Sequence, residues 1–146
     1  MAIITINGKQ YNDKKFTQAT KNILASLNFT NNEINKVNLL ISIYQTSKNA
    51  YSNSIVNNLP QKQAAANRKN GIITINDKKY FEEDLSDKLK SDILVFKTIN
   101  KKLQEFTIEL AVLNTSKNVY SNALAQSLEK NKIICGEDIG NIGRGL

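Results

Sequence analysis

Lysine and tyrosine are the side chains whose types and spacing in this sequence could do chemistry. Lys48 and Tyr51 stand three residues apart in the block Thr46-Ser47-Lys48-Asn49-Ala50-Tyr51-Ser52-Asn53, and Lys117 and Tyr120 repeat that spacing in Thr115-Ser116-Lys117-Asn118-Val119-Tyr120-Ser121-Asn122. An ammonium and a phenol hydroxyl one helical turn apart can both donate to an oxyanion, so each pair is a candidate anion-binding pair. Two structural readings compete with it. A lysine inside an apolar seam can lay its stem along the seam and lift its charge into water, or it can set register and oligomeric state.

The remaining chemical inventory is thin. The chain has no histidine, which removes the usual general base and the commonest transition-metal ligand. Cys135 is the single cysteine, which excludes an intrachain disulfide framework and a cysteine-rich zinc site. The sequence therefore predicts no enzyme, no metal site and no cofactor. The net charge of +7 points to an acidic or anionic partner. Of the 20 basic residues, however, only Arg68 and Arg144 are arginine. Arginine makes the bidentate contacts that base recognition favours, so nucleic-acid binding is expected only in a non-specific form. No apolar run reaches the ~18 residues of a spanning helix, and the alternating, turn-broken start from Met1 to Tyr11 is unlike a signal peptide. The expected location is the cytoplasm or a virion packed from it, with no membrane partner.

The elements that must position these residues occur twice. Residues 72–131 repeat residues 3–62 at an offset of 69: Ile3-Ile4-Thr5-Ile6-Asn7 matches Ile72-Ile73-Thr74-Ile75-Asn76, Tyr11 matches Tyr80, and the two lysine blocks match each other. Residues 1–62 and 72–131 are thus read as two repeat units, 63–71 as a linker and 132–146 as a glycine-rich C-terminal arm. Each copy opens as a hairpin, because Ile4 and Ile6 alternate with polar residues and then meet Asn7-Gly8, a strong two-residue turn signal. That turn sets Ile6 opposite Lys9 and Ile4 opposite Tyr11. Thr17 and Ser86 fit helix N-caps for a short helix with the apolar stripe Ile23, Leu24 and Leu27 in copy one, and Leu89, Ile93 and Phe96 in copy two. In copy one, Thr30-Asn31-Asn32-Glu33 reads as a capping box that opens a second, longer helix closed by Pro60; in copy two the junction near Thr98–Asn100 predicts only a bend.

On the longer helix, Ile34, Val37, Ile41, Tyr44, Lys48, Tyr51 and Ile55 follow four-three spacing, and Leu103, Phe106, Leu110, Leu113, Lys117, Tyr120 and Leu124 repeat it. This is a coiled-coil-like seam. Leu39, Ile43, Thr46 and Ala50 form a second stripe, repeated by Ile108, Val112, Thr115 and Val119. A helix that is apolar on two sides must be covered on two sides, which predicts an oligomer or a larger assembly. The fold expected is α+β: two tandem ββαα units, each a β-hairpin plus a helical hairpin, related by a pseudo-twofold with the long helices bundled. In the arm, Ile139, Ile142 and Leu146 alternate with Gly136, Gly140, Gly143 and Gly145. Such a segment cannot form its own core and suits an extended arm that docks on a neighbour by strand addition; a disordered terminus is the competing reading.

The blocks Ile3 to Tyr11 and Thr46 to Tyr51 resemble a small domain family of unknown function from marine cyanobacteria and phages, whose members read like ITINGKEY early and QTARNAYARAL late. Copy two resembles it equally through Ile72 to Tyr80 and Thr115 to Leu124. Lys48 and Lys117 stand where the family has arginine, and the duplication and the glycine-rich arm depart from its single-unit pattern. The resemblance implies a phage or its host and carries no activity. The expected function is a non-enzymatic structural protein that binds other subunits, its own or those of a virion, such as a head decoration, connector or tail accessory protein. A non-specific nucleic-acid-binding protein and an adaptor for a host protein are the alternatives.

Overall fold

The computed structural model describes residues 3–61 and 71–131. Its elements are β1 (Ile3–Ile6), β2 (Lys9–Asn12), α1 (Gln18–Asn57), β3 (Ile72–Ile75), β4 (Lys78–Phe81) and α2 (Asp87–Asn131), with a short 3-10 turn after each hairpin at Asp13–Lys15 and Glu82–Asp84. The coarse class is α+β: two β-hairpins and two long helices. Residues 62–70, which take in the linker 63–71 except Gly71, and the arm, with Ile139, Ile142 and Leu146, lie outside the described residues.

Both hairpins have the expected register. Ile4 pairs with Tyr11 and Ile6 with Lys9 in one, Ile73 with Tyr80 and Ile75 with Lys78 in the other. Both turn residues have positive φ in each: Asn7 at 51° and Gly8 at 78°, Asn76 at 51° and Asp77 at 63°. This is the conformation that matches strand twist, and asparagine, aspartate and glycine tolerate it best. The hairpins form two separate two-stranded sheets, not one.

The predicted helical hairpin is replaced by one uninterrupted helix per copy. Three sequence facts explain the difference. No glycine or proline occurs anywhere within either helix, since the only proline is Pro60. The apolar seam also runs in phase through the proposed junction: Leu27, Thr30, Ile34 and Val37 keep three-four-three spacing, with Thr30 and Val37 buried. Finally, Thr30 is not a cap, because its hydroxyl donates to the carbonyl of Ser26 one turn back, at 2.8 Å. In copy two Ile99 holds the same place and is also buried, and α2 runs through it without interruption. The helix starts do follow expectation. Thr17 Oγ1 accepts from the Thr20 amide at 3.1 Å, and Ser86 Oγ from the Leu89 amide at 3.1 Å, each satisfying an N-terminal donor.

The chain divides into two compact units, residues 1–37 with 109–146, and residues 38–108. In the first, the β1–β2 hairpin lies over the start of α1 and the end of α2. Tyr11, Phe16, Leu27, Leu124 and Leu128 are its buried core, with Ile4, Ile6, Ile23, Leu24 and Tyr120 packed on it. In the second, the β3–β4 hairpin lies over the end of α1 and the start of α2. Its core is Ile55, Tyr80, Leu85, Leu89 and Ile93, with Leu59, Ile73, Ile75 and Phe96 against it. Each core therefore joins one hairpin to the helix that follows it and to the far end of the other helix. Fully burying an aliphatic or aromatic side chain of this size contributes about 1.5–3 kcal/mol, which gives a two-stranded hairpin the support it lacks alone.

Candidate functional site

The lysine–tyrosine pairs fall into different surroundings. In the second unit Lys48 is half-buried and its Nζ lies 6.0 Å from the centroid of the Phe96 ring, at the outer limit of a cation–π contact. Lys117 is exposed, as a lysine that lifts its charge past the seam into water would be. The residue that corresponds to Phe96 at the repeat offset is Leu27, which offers no π face, while Ser47 and Ser116 are half-buried alike. Tyr51 and Tyr120 are both half-buried, and Tyr120 packs on the first unit's core. No ion pair or hydrogen bond joins Lys48 to Tyr51 or Lys117 to Tyr120, and nothing in their geometry builds an anion pocket.

The seam itself is formed. Each of its predicted members except Lys117 is buried or half-buried, and within the second unit Tyr44 and Phe106 meet edge to face with centroids 5.1 Å apart. Polar bonds bridge the helices in both units. Thr20 and Ser127 share a short hydroxyl–hydroxyl hydrogen bond in the first, and Ser54 Oγ donates to the Asp92 carboxylate at 2.8 Å in the second.

The second stripe is where apolar side chains meet water. In the second unit Leu39 is 62 % exposed and Ile43 is exposed on α1, while Leu94 and Ile108 are exposed on α2, Ile108 at 67 %. In the first unit Phe29, Val112 and Val119 are exposed. Lone exposed aliphatics are ordinary, but aliphatics at helical spacing on the face away from a filled seam are the pattern of a surface made to be covered. Sequence reasoning found Leu39, Ile43, Ile108, Val112 and Val119 by their four-three spacing. It missed Phe29 and Leu94, which extend the same spacing outward from the blocks that match between copies.

Each unit also carries a cleft under its hairpin. The first holds about 520 Å³, lined by Ile6, Asn7, Lys9, Tyr11, Leu27, Ser121 and Leu124 among others. The second holds about 480 Å³ and runs along the whole of β3, from Ile72 to Asn76, with Ser52, Ile55, Val56, Ile93, Phe96, Lys97 and Asn100 opposite. At the repeat offset, Ile6, Asn7, Leu27, Ser121 and Leu124 correspond to Ile75, Asn76, Phe96, Ser52 and Ile55. The blocks that match best between the copies, the early strand and the late serine block, thus supply walls of both clefts. Among the described residues no cluster of histidine, cysteine or carboxylates could hold a metal ion, and no helix is long and apolar enough to cross a membrane. No protein-family model, no curated protein and no solved structure matches the chain.

Proposed function

We propose that this protein is a non-enzymatic assembly protein that binds other protein subunits through the exposed apolar positions of its helices and through its C-terminal arm. The observation that carries this reading is the exposure of Leu39 and Ile43 on α1 and of Ile108, Val112 and Val119 on α2, each on the side of its own helix away from the seam. Burial of several such side chains against a partner supplies the apolar centre that stable interfaces need. The narrower reading is a virion component, in line with the phage and cyanobacterial blocks in the sequence. Its two copies would pair about a pseudo-twofold, each completing the core of the other. Supporting this, Tyr11, Phe16, Leu27, Leu124 and Leu128 correspond at the repeat offset to Tyr80, Leu85, Phe96, Ile55 and Leu59, which lie in or against the second core.

Sedimentation over a wide concentration range tests the assembly reading. The expected result is a mass that grows with concentration in the native chain and stays monomeric in Leu39→Lys with Ile108→Lys, with the melting temperature of the dilute protein unchanged. A native chain that remains monomeric at every concentration overturns it.

A further inference from the structure

We propose that the cleft along β3 is the receiving site for the C-terminal segment of a second copy of this chain, residues 133–139, added as a strand to the open edge of β3. The inference rests on the assembly reading above and gives it a specific site. Among the described residues β3 pairs with β4 alone, in a two-stranded sheet. The Glu82 amide donates to the Gly71 carbonyl at 2.6 Å, and hydrogen-bonded pairs alternate along an antiparallel ladder. Ile73 and Ile75 therefore bond toward β4, while the backbone groups of Ile72 and Thr74 face the other way. All five residues from Ile72 to Asn76 line the cleft, so its wall is a strand edge along its full length. An extended segment is the ligand that such an edge recognises, with main-chain bonds along the edge and alternate side chains in the groove.

The chemistry of the groove selects among extended segments. Val56, Ile93 and Phe96 make an apolar floor and Lys97 stands on the rim, while Lys48, beside the cleft rather than in its lining, has its Nζ 6.0 Å from the centroid of the Phe96 ring. The segment after α2 reads Ile133-Ile134-Cys135-Gly136-Glu137-Asp138-Ile139, which joins aliphatic residues for the floor to two carboxylates for the two lysines. The other acidic run, Glu82-Glu83-Asp84, has no isoleucine beside it, so an acidic pair next to three isoleucines is distinctive of this segment. The cleft of the first unit lacks this match. It is lined by Lys9 and Tyr11 of β2 and has Glu129 at its edge, and the position that corresponds to Lys97 is Asn28. One receiving site and one donor segment per chain make a head-to-tail contact, which propagates into a ring or an open string of copies.

The natural Cys135, the only cysteine of the chain, allows a direct test in the full-length protein. Thr74→Cys and Ile72→Cys place a thiol along the open edge, and Gln10→Cys on the other hairpin serves as control. Under mild oxidation the β3 variants should give interchain disulfide-linked dimers and longer species, about tenfold above the control. Lys97→Glu should cut the yield several-fold, and Glu137→Lys with Asp138→Lys in the same chain should restore it. Yields no greater than the control overturn the site, and cross-links confined within one chain overturn the second copy as donor. A charge reversal without effect overturns the role of Lys97. Cross-linking that fails while Leu39→Lys with Ile108→Lys still abolishes self-association removes this site alone; failure of both removes the assembly reading.

Discussion

Ser54 on α1 donates its hydroxyl to the carboxylate of Asp92 on α2 at 2.8 Å, and the residues at the corresponding repeat positions, Ala123 and Ile23, are apolar. The reverse holds one turn away: Thr20 bonds Ser127 in the first unit, where the second has Leu89 and Asn58. The units thus keep a common scaffold while placing these cross-helix polar bonds at different levels. A hydrogen bond to a charged acceptor contributes about 1.5–3 kcal/mol, less where water can replace it. Ser54→Ala should lower the melting temperature by a few degrees, whereas Ser54→Ala with Asp92→Ile, which copies the apolar level of the first unit, should restore or exceed the native value. Thermal unfolding followed by circular dichroism checks both, and a double variant less stable than the single one would contradict the account.

Leu89 and Leu94 lie five residues apart on α2 with opposite surroundings, Leu89 at 0 % and Leu94 at 65 % exposure. Leu89→Ala leaves a cavity in the second core and should cost about 2–5 kcal/mol. Leu94→Ala should stay within about 0.5 kcal/mol. Urea unfolding distinguishes them, and similar midpoint shifts would mean that the core is misassigned.

The two lysines of the matching blocks should respond differently to an amine-acylating reagent. Lys117 is exposed, while the stem of Lys48 is half-buried beside Phe96. Peptide mapping by mass spectrometry should find Lys117 acylated several-fold faster than Lys48, and Phe96→Leu, which gives the second unit the side chain of the first, should narrow the difference. Lys48→Ala should cost about 1 kcal/mol through lost stem packing and ring contact, with Lys117→Ala near neutral.

At the hairpin turns the sign of a substitution follows from backbone geometry alone. Gly8 has φ +78°, and no heavy atom lies within 4 Å of the point a Cβ would occupy, so Gly8→Ala meets no clash and loses about 1 kcal/mol purely from its conformation. Asp77 has φ 63°, and Asp77→Gly should stabilise the second hairpin by a comparable amount. Hydrogen exchange at Ile73 and Ile75 reports it locally.

The hairpins and the helix N-caps were legible because turn and cap chemistry is local: Asn7-Gly8, Thr17 and Ser86 need no distant partner to adopt their conformations. The second stripe was legible for a similar reason, since four-three spacing marks a face whatever lies opposite it. The proposed junction at Thr30 misled because a capping-box pattern is short and polar, while the competing signal, a seam that keeps its phase from Leu27 to Val37, becomes decisive only when Thr30 is seen buried with its hydroxyl turned to Ser26. The different surroundings of Lys48 and Lys117 were not legible in the matching blocks, because Phe96, which lies by Lys48, lies outside them and has Leu27 as its counterpart at the repeat offset. The clefts were not legible at all, because their walls join segments far apart in sequence.

The arrangement of the cores also sets an order of events during synthesis. The second unit, residues 38–108, is continuous in sequence, whereas the first joins residues 1–37 to 109–146 and bridges Thr20 to Ser127. The N-terminal hairpin, though made first, cannot bury Tyr11 and Phe16 against Leu124 and Leu128 until the end of α2 has left the ribosome. Prior closure of the second unit shortens the free loop that the first must close and lowers its entropy cost. The first hairpin is therefore made before the second unit yet sheltered after it, and a nascent chain stalled before Leu124 leaves Ile4, Ile6 and Tyr11 open to chaperones and proteases.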